Sequence, residues 1–140
     1  MHPMHHAMSS AKKFGGVWED YIKIHNWFDE TKANFADVRH RAMRHHAEGI
    51  FWCEKEFGTA FKNSNGQDVP TRAIGEQHVK EDCGFIPSMQ RWLLAMNVEE
   101  WMIRMSDKSK ETFDMVREDV NMSVEAEEKS TKLRSPEDEK

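Results

Sequence analysis

From Ile24 to Gly58 the chain reads IHNWFDETKANFADVRHRAMRHHAEGIFWCEKEFG. No proline interrupts it, and Ile24, Phe28, Phe35, Ala42, His46, Ile50, Cys53 and Phe57 recur at spacings of three, four and seven. Those spacings put side chains on one face of a helix. They predict one long central helix over about Ile24 to Phe57, closed by Gly58. Gly49 lies inside it, where glycine costs ~1 kcal/mol against alanine, so it marks a kink or a close helix contact. The fold class that follows is mainly α, a compact helical domain built around this element.

Outward from it, Met4 to Phe14 predicts a short helix that Gly15 and Gly16 end, since glycine takes the left-handed cap without steric cost. Asn65-Gly66, between short stretches of β-compatible residues, predicts a small β-hairpin insertion within Thr59 to Ile74. Gly75 to Asp82 reads as a helix closed by Gly84. Pro87 to Met96 reads as another, continued by Val98 to Met105 after a bend at Asn97, with Trp92, Leu93, Met96, Trp101 and Met102 as its packing face. Phe113, Val116, Val120 and Val124 repeat at helical spacing and predict an amphipathic helix that folds back or meets a protein partner. The expected organisation is a His-rich helical domain over residues 1–105, an extended amphipathic helix over 106–125 and a disordered acidic tail over 126–140, too polar to order itself.

The chain has 140 residues, the size of one ordinary domain, with 38% hydrophobic and 32% charged residues and a net charge of -5. That charge disfavours non-specific duplex binding, which needs a basic footprint. Two cysteines, Cys53 and Cys83, make no disulfide framework. No apolar run approaches the ~20 residues that cross a bilayer, and Met1 to Ala7 is His-rich rather than leader-like. A cytoplasmic protein that does not span a membrane is expected.

Eight histidines are many for this length, and two segments share one pattern. His25 precedes Asp29 and His78 precedes Asp82 by four residues, a spacing that on a helix aims both side chains the same way. Facing each other, the two pairs would hold a divalent ion such as zinc, manganese or iron, with imidazole suiting transition metals and carboxylate the harder ions. His5 or His6 would add a ligand. A His and an Asp one turn apart are also commonly no more than a solvated pair.

Arg39 to His46 forms a second constellation. On a continuous helix Arg39 and His46 lie with Phe35, Ala42 and Ile50 on the apolar face, where a guanidinium and an imidazole need an anionic partner, such as Asp82, Glu76 or a bound phosphate. Asp37, Arg41, Arg44 and Glu48 read as a salt-bridged polar face. The run from His25 to His46 is 21 steps, roughly 31 Å on a straight helix. One ion cannot take both unless the helix breaks. Cys53 reads as core, and the tryptophans and phenylalanines as packing rather than a base-stacking platform.

The run His25 to Gly58, with Met1 to His6, Ser9-Ser10 and Gly75 to Asp82, resembles a family of small uncharacterised His-rich helical proteins of bacteria and their phages, over roughly residues 1–102. The resemblance implies a bacterial or phage origin, with the host cytoplasm as the setting if the chain is phage-encoded, and little chemistry. Metal-dependent phosphohydrolases of the HD type need an adjacent His-Asp doublet, which is absent here. Helical RNases of the HEPN type pair an Arg with a later His, a loose pattern that Arg39 with His45, or Arg41 with His46, satisfies.

The leading expectation is a divalent-metal-binding protein that activates water against a phosphate-containing small molecule or nucleotide, with His25, Asp29, His78, Asp82 and His5 as ligands and Arg39 and His46 as catalytic phosphate contacts. A non-enzymatic protein that sequesters a partner through residues 113–124, and a metal-free RNase using Arg41 and His46, are the alternatives.

Overall fold

The stretch from Ile24 to Phe57 is helical at its two ends and broken in the middle. In the computed structural model, which describes residues 1–103 and 107–133, helix α2 (Ile22–Asp29) gives way to short 3-10 turns at Glu30–Ala33 and Val38–Met43, and helix α3 (Ala47–Phe57) starts afresh. The expected single long helix is therefore corrected, and the cause is local. Thr31 Oγ1 shares a hydrogen bond with His40 Nδ1 at 2.8 Å, and Asp37 accepts from the Arg39 amide at 2.8 Å. His46, in extended backbone, caps α3 by accepting from the Gly49 amide at 2.9 Å. Such side-chain bonds offer the backbone an alternative to the helical ladder. Arg44 reaches back to the Trp27 carbonyl and to Glu30, and its guanidinium lies 4.1 Å from the Trp27 ring centre.

Gly49 allows this return. A Cβ there would stand 1.9 Å from the Arg44 carbonyl oxygen, so of the two roles foreseen for it, close contact is the one realised.

Residues Met1–Trp92 form one compact unit and Leu93–Lys140 a second. In the first, α1 (Pro3–Phe14), α2, α3 and α4 (Thr71–Cys83) pack around Tyr21, Ile24, Phe28, Ile50, Cys53, Val69, Ile74 and Val79. Each large apolar side chain buried this way contributes about 1.5–3 kcal/mol. Gly75 brings α4 close: a Cβ would lie 3.2 Å from Phe28 Cζ and 3.3 Å from Ile50 Cγ2. The hairpin is present as β1 (Ala60–Lys62) and β2 (Asp68–Pro70), antiparallel, with Phe61 opposite Val69. Its loop is longer than an Asn-Gly turn: Asn63 Oδ1 accepts from the amides of Asn65 and Gln67, and Gly66 takes the positive φ.

The second unit differs from expectation. Helix α5 (Met89–Leu94) straddles the division, Glu100–Met102 forms only a 3-10 turn, and α6 (Asp107–Leu133) runs past the expected end at residue 125. The units divide after Trp92. Residues 104–106 and 134–140, and the side chains of Phe113 and Val120, lie outside the described residues. Among those described, no helix is long and apolar enough to cross a membrane.

Candidate metal centre

Breaking the helix brings His45 back to α2. Four elements then aim six side chains at one buried point: His6 from α1, His25 and Asp29 from α2, His45 from the turn before α3, and His78 and Asp82 from α4. Asp82 is at the middle. Its Oδ2 lies 3.0 Å from His45 Nε2 and 3.3 Å from His78 Nε2, and its Oδ1 lies 3.2 Å from His6 Nε2. Asp29 Oδ1 is 3.5 Å from both His45 Nε2 and His78 Nε2, which are 3.0 Å from each other. Ligand bonds of 2.0–2.2 Å set neighbouring donors about 3.0 Å apart in an octahedron and about 3.4 Å in a tetrahedron. The separations, which are also those of hydrogen-bonded ion pairs, are compatible with a coordination shell. The donor atoms of His6, Asp29, His78 and Asp82 all lie within 4.8 Å of one another, as do those of His6, His25 and His78.

The hydrogen bonds around the cluster decide where its protons are. Gln77 Nε2 faces the His6 carbonyl at 3.1 Å and Glu81 Oε1 at 2.5 Å, both acceptors, so the amide oxygen of Gln77 faces Ser10. Ser10 therefore donates to Gln77 Oε1 at 2.8 Å and accepts from His25 Nε2 at 2.8 Å. Burial first, and then the neighbouring His78 and His6, push the His25 pKa down to about 2, so this imidazole is neutral and its Nδ1 carries no proton. His78 must then donate from Nδ1 to His25 Nδ1 across 2.9 Å. His78 Nε2 then points at two carboxylates and at His45 Nε2, a contact that either a second ring proton or a metal cation makes attractive. Assignment of ring protons by the partner of the opposite nitrogen is the usual logic of metal-binding histidines.

His6 repeats the arrangement. Its Nδ1 is held by Glu81 Oε1 at 3.2 Å, leaving Nε2 directed at Asp82 without a hydrogen-bond partner. Burial opposes charging His6, but Asp82 and Glu81 outweigh it and raise its pKa above the usual imidazole value, so a proton competes with an ion for that nitrogen. Burial likewise pushes both aspartates up, yet the surrounding imidazoles hold Asp29 and Asp82 well below the ordinary carboxylate range. Among the described residues, both oxygens of the buried Asp29 nonetheless lack a hydrogen bond, with Lys32 Nζ 4.0 Å away as its nearest ammonium. A buried carboxylate left so costs several kcal/mol unless something cationic compensates it. The ring of Phe28, stacked 4.8 Å from that of His78, walls one side with apolar surface.

Of the expected ligands, His25, Asp29, His78 and Asp82 come together, with a difference of role. Both nitrogens of His25 are engaged, so it orients His78 from behind. His5 is exposed, and its neighbour His6 enters the site instead. Arg39 does not face the core: its side chain is 74% exposed, paired with Asp37 at 2.6 Å and lying over Phe35. His46 is buried but spent on backbone, accepting from Gly49 and donating from Nε2 to the Ala42 and Met43 carbonyls. Both placements depended on an unbroken helix. Cys53 is core as expected, its thiol pushed up to about 12 by burial.

His45 was missed, and His6 was named only beside His5, which was preferred. For His6 a signal existed, since it shares with Ser10 the four-residue spacing used for the other pairs. For His45 there was none, because only the broken turn reorients it.

No curated protein and no solved structure matches the chain. One family does match, described as a domain of unknown function, DUF6915, and it covers residues 1–102, which include every residue of the site. The chain belongs to that family.

Proposed function

We propose that this protein binds one divalent transition-metal ion through His6, His45 and His78 Nε2 and the carboxylates of Asp29 and Asp82, and that the ion is the seat of its activity. The arrangement around Asp29 and Asp82 carries the reading: the Nε2 atoms of three buried imidazoles lie 3.0–3.5 Å from two buried carboxylates. Bound through unprotonated nitrogens, three imidazoles and two carboxylates would carry the two negative charges that one dication cancels. Mixed imidazole and carboxylate donors suit zinc, manganese or iron. Elemental analysis of untagged protein never exposed to chelator tests it. About one metal per chain, lost in His78→Ala, is expected; no metal in the wild type defeats the proposal.

The chemistry that fits such a centre is hydrolysis of a phosphate-containing substrate, since a bound metal lowers the pKa of its water to ~7. The water oxygen bonds to phosphorus while the ester oxygen leaves. One of the water's protons would end on the leaving oxygen, giving an alcohol and inorganic phosphate. A bacterial or phage source with action in the host cytoplasm follows from the resemblance and belongs to the same proposal.

A second reading, a binding protein acting through α6, is favoured by Met115 and Met122, which sit seven residues apart on that helix and are both exposed. Deleting residues 104–140 separates the two: the metal reading keeps metal content and hydrolysis, and the binder reading loses partner affinity.

A further inference from the structure

The segment that breaks the long helix also lines an open groove, with Lys32, Arg39, His40 and Arg41 among its walls and Asp37 its one acid. Three of these residues touch the cluster. Lys32 Nζ is 4.0 Å from Asp29 Oδ2, the His40 ring meets the His45 ring edge-on at 5.5 Å, and Arg41 Nη2 is 3.7 Å from Asp82 Oδ1. None of the proposed ligands lines the groove itself, and these three residues join its wall to them.

Its cations are poorly matched. Among the described residues, Arg41 makes one long hydrogen bond, 3.4 Å from Nη1 to the Asp82 carbonyl, and its buried Nε has no partner. Among the described residues, Asp29 is the acid paired with Lys32 and Asp82 the acid paired with Arg41. Those are the two carboxylates that a metal would claim. Once they are committed to a dication, Lys32 and Arg41 both lose their counter-charges, while Arg39 stays paired with Asp37. An arginine fork and an ammonium so placed suit a phosphate group.

We infer that Lys32 and Arg41 form an anion subsite that takes the phosphate group of the ligand beside the metal centre, in place of the Arg39 and His46 pair expected from helical periodicity. The inference rests on the metal reading and adds a coupling to it: metal and phosphate each raise the affinity of the chain for the other, by reciprocal linkage.

Calorimetric titration of the full chain with inorganic phosphate tests this, using wild type, Lys32→Gln/Arg41→Gln and Arg41→Lys, each metal-loaded and metal-stripped, with metal content measured in parallel. Metal-loaded wild type is expected to bind phosphate at least tenfold more tightly than the double variant at equal metal content, with Arg41→Lys between them and the stripped wild type weaker. Equal binding by loaded wild type and double variant, or binding by neither, overturns the subsite. If the wild type holds no metal, the metal reading fails by itself. Phosphate binding that still depends on Lys32 and Arg41 then keeps the anion subsite, and its absence removes that too. A nucleoside monophosphate run beside inorganic phosphate separates a nucleotide site from one for the bare anion.

Discussion

Two histidine-bearing regions of this chain behave in opposite ways. In α2 and α4, His25 with Asp29 and His78 with Asp82 lie on unbroken helical turns, and the four-residue spacing delivers both pairs to one point. In residues 37–46 the spacing is equally suggestive and delivers nothing it promised: Arg39 faces solvent, His46 caps a helix, and His45, which no periodicity singled out, becomes a cluster member. Helical spacing predicts side-chain direction only while the backbone hydrogen bonds remain helical. Thr31, Asp37 and His46 each supply a competing bond, and their combined effect decides the geometry.

The largest expected effect tests whether the two regions share one ion. Asp82→Asn removes the carboxylate that meets His6, His45 and His78. Metal content should fall to background, and the rise in thermal midpoint on adding metal, worth about 2.7 kcal/mol at a hundred times Kd, should vanish. A normal metal load in this variant would place the ion elsewhere.

Next in size is Gly49→Ala, which acts on the break alone. With a Cβ 1.9 Å from the Arg44 carbonyl the turn must shift, and a loss of about 2–4 kcal/mol in denaturant unfolding is expected, as for other substitutions that collide with packed backbone. Because His45 follows Arg44 directly, metal affinity should fall too. Unchanged stability would mean that the return of the chain is looser than these contacts imply.

The mainly α class, the hairpin, the first helix and four of the six clustered residues were legible from the sequence, each through a local rule: apolar period, glycine caps and the four-residue pairing. The break at Glu30 to His46 was not, because Phe35 and Ala42 imitate a core stripe that tertiary contacts do not use; Phe35 is exposed. His25 illustrates a finer limit. Spacing put it at the site but could not tell a ligand from the residue behind a ligand, a distinction set by Ser10 and Gln77 far away in sequence. His25→Ala should therefore weaken metal binding about 10- to 100-fold, the usual cost of losing a residue that orients a ligand, without abolishing it. In Co(II)-substituted protein the visible spectrum should keep its ligand count and shift only slightly. Loss of a nitrogen ligand from that spectrum would make His25 a ligand after all.

The smallest expected effect compares two neighbours. His5 and His6 differ by one residue, about 100° around a helix of 3.6 residues per turn, and that rotation leaves one in solvent and turns the other onto Asp82. His5→Ala should leave metal affinity within error of wild type. His6→Ala should lose at least tenfold, since it removes one of the nitrogens facing Asp82 and frees Glu81 from its imidazole partner. Equal effects from the two would mean that α1 is rotated or frayed in solution, and the cluster would then rest on α2, α4 and the turn at His45. The comparison between neighbours thus asks of α1 what Gly49→Ala asks of the broken stretch: whether backbone geometry, rather than the abundance of histidine, selects the ligands.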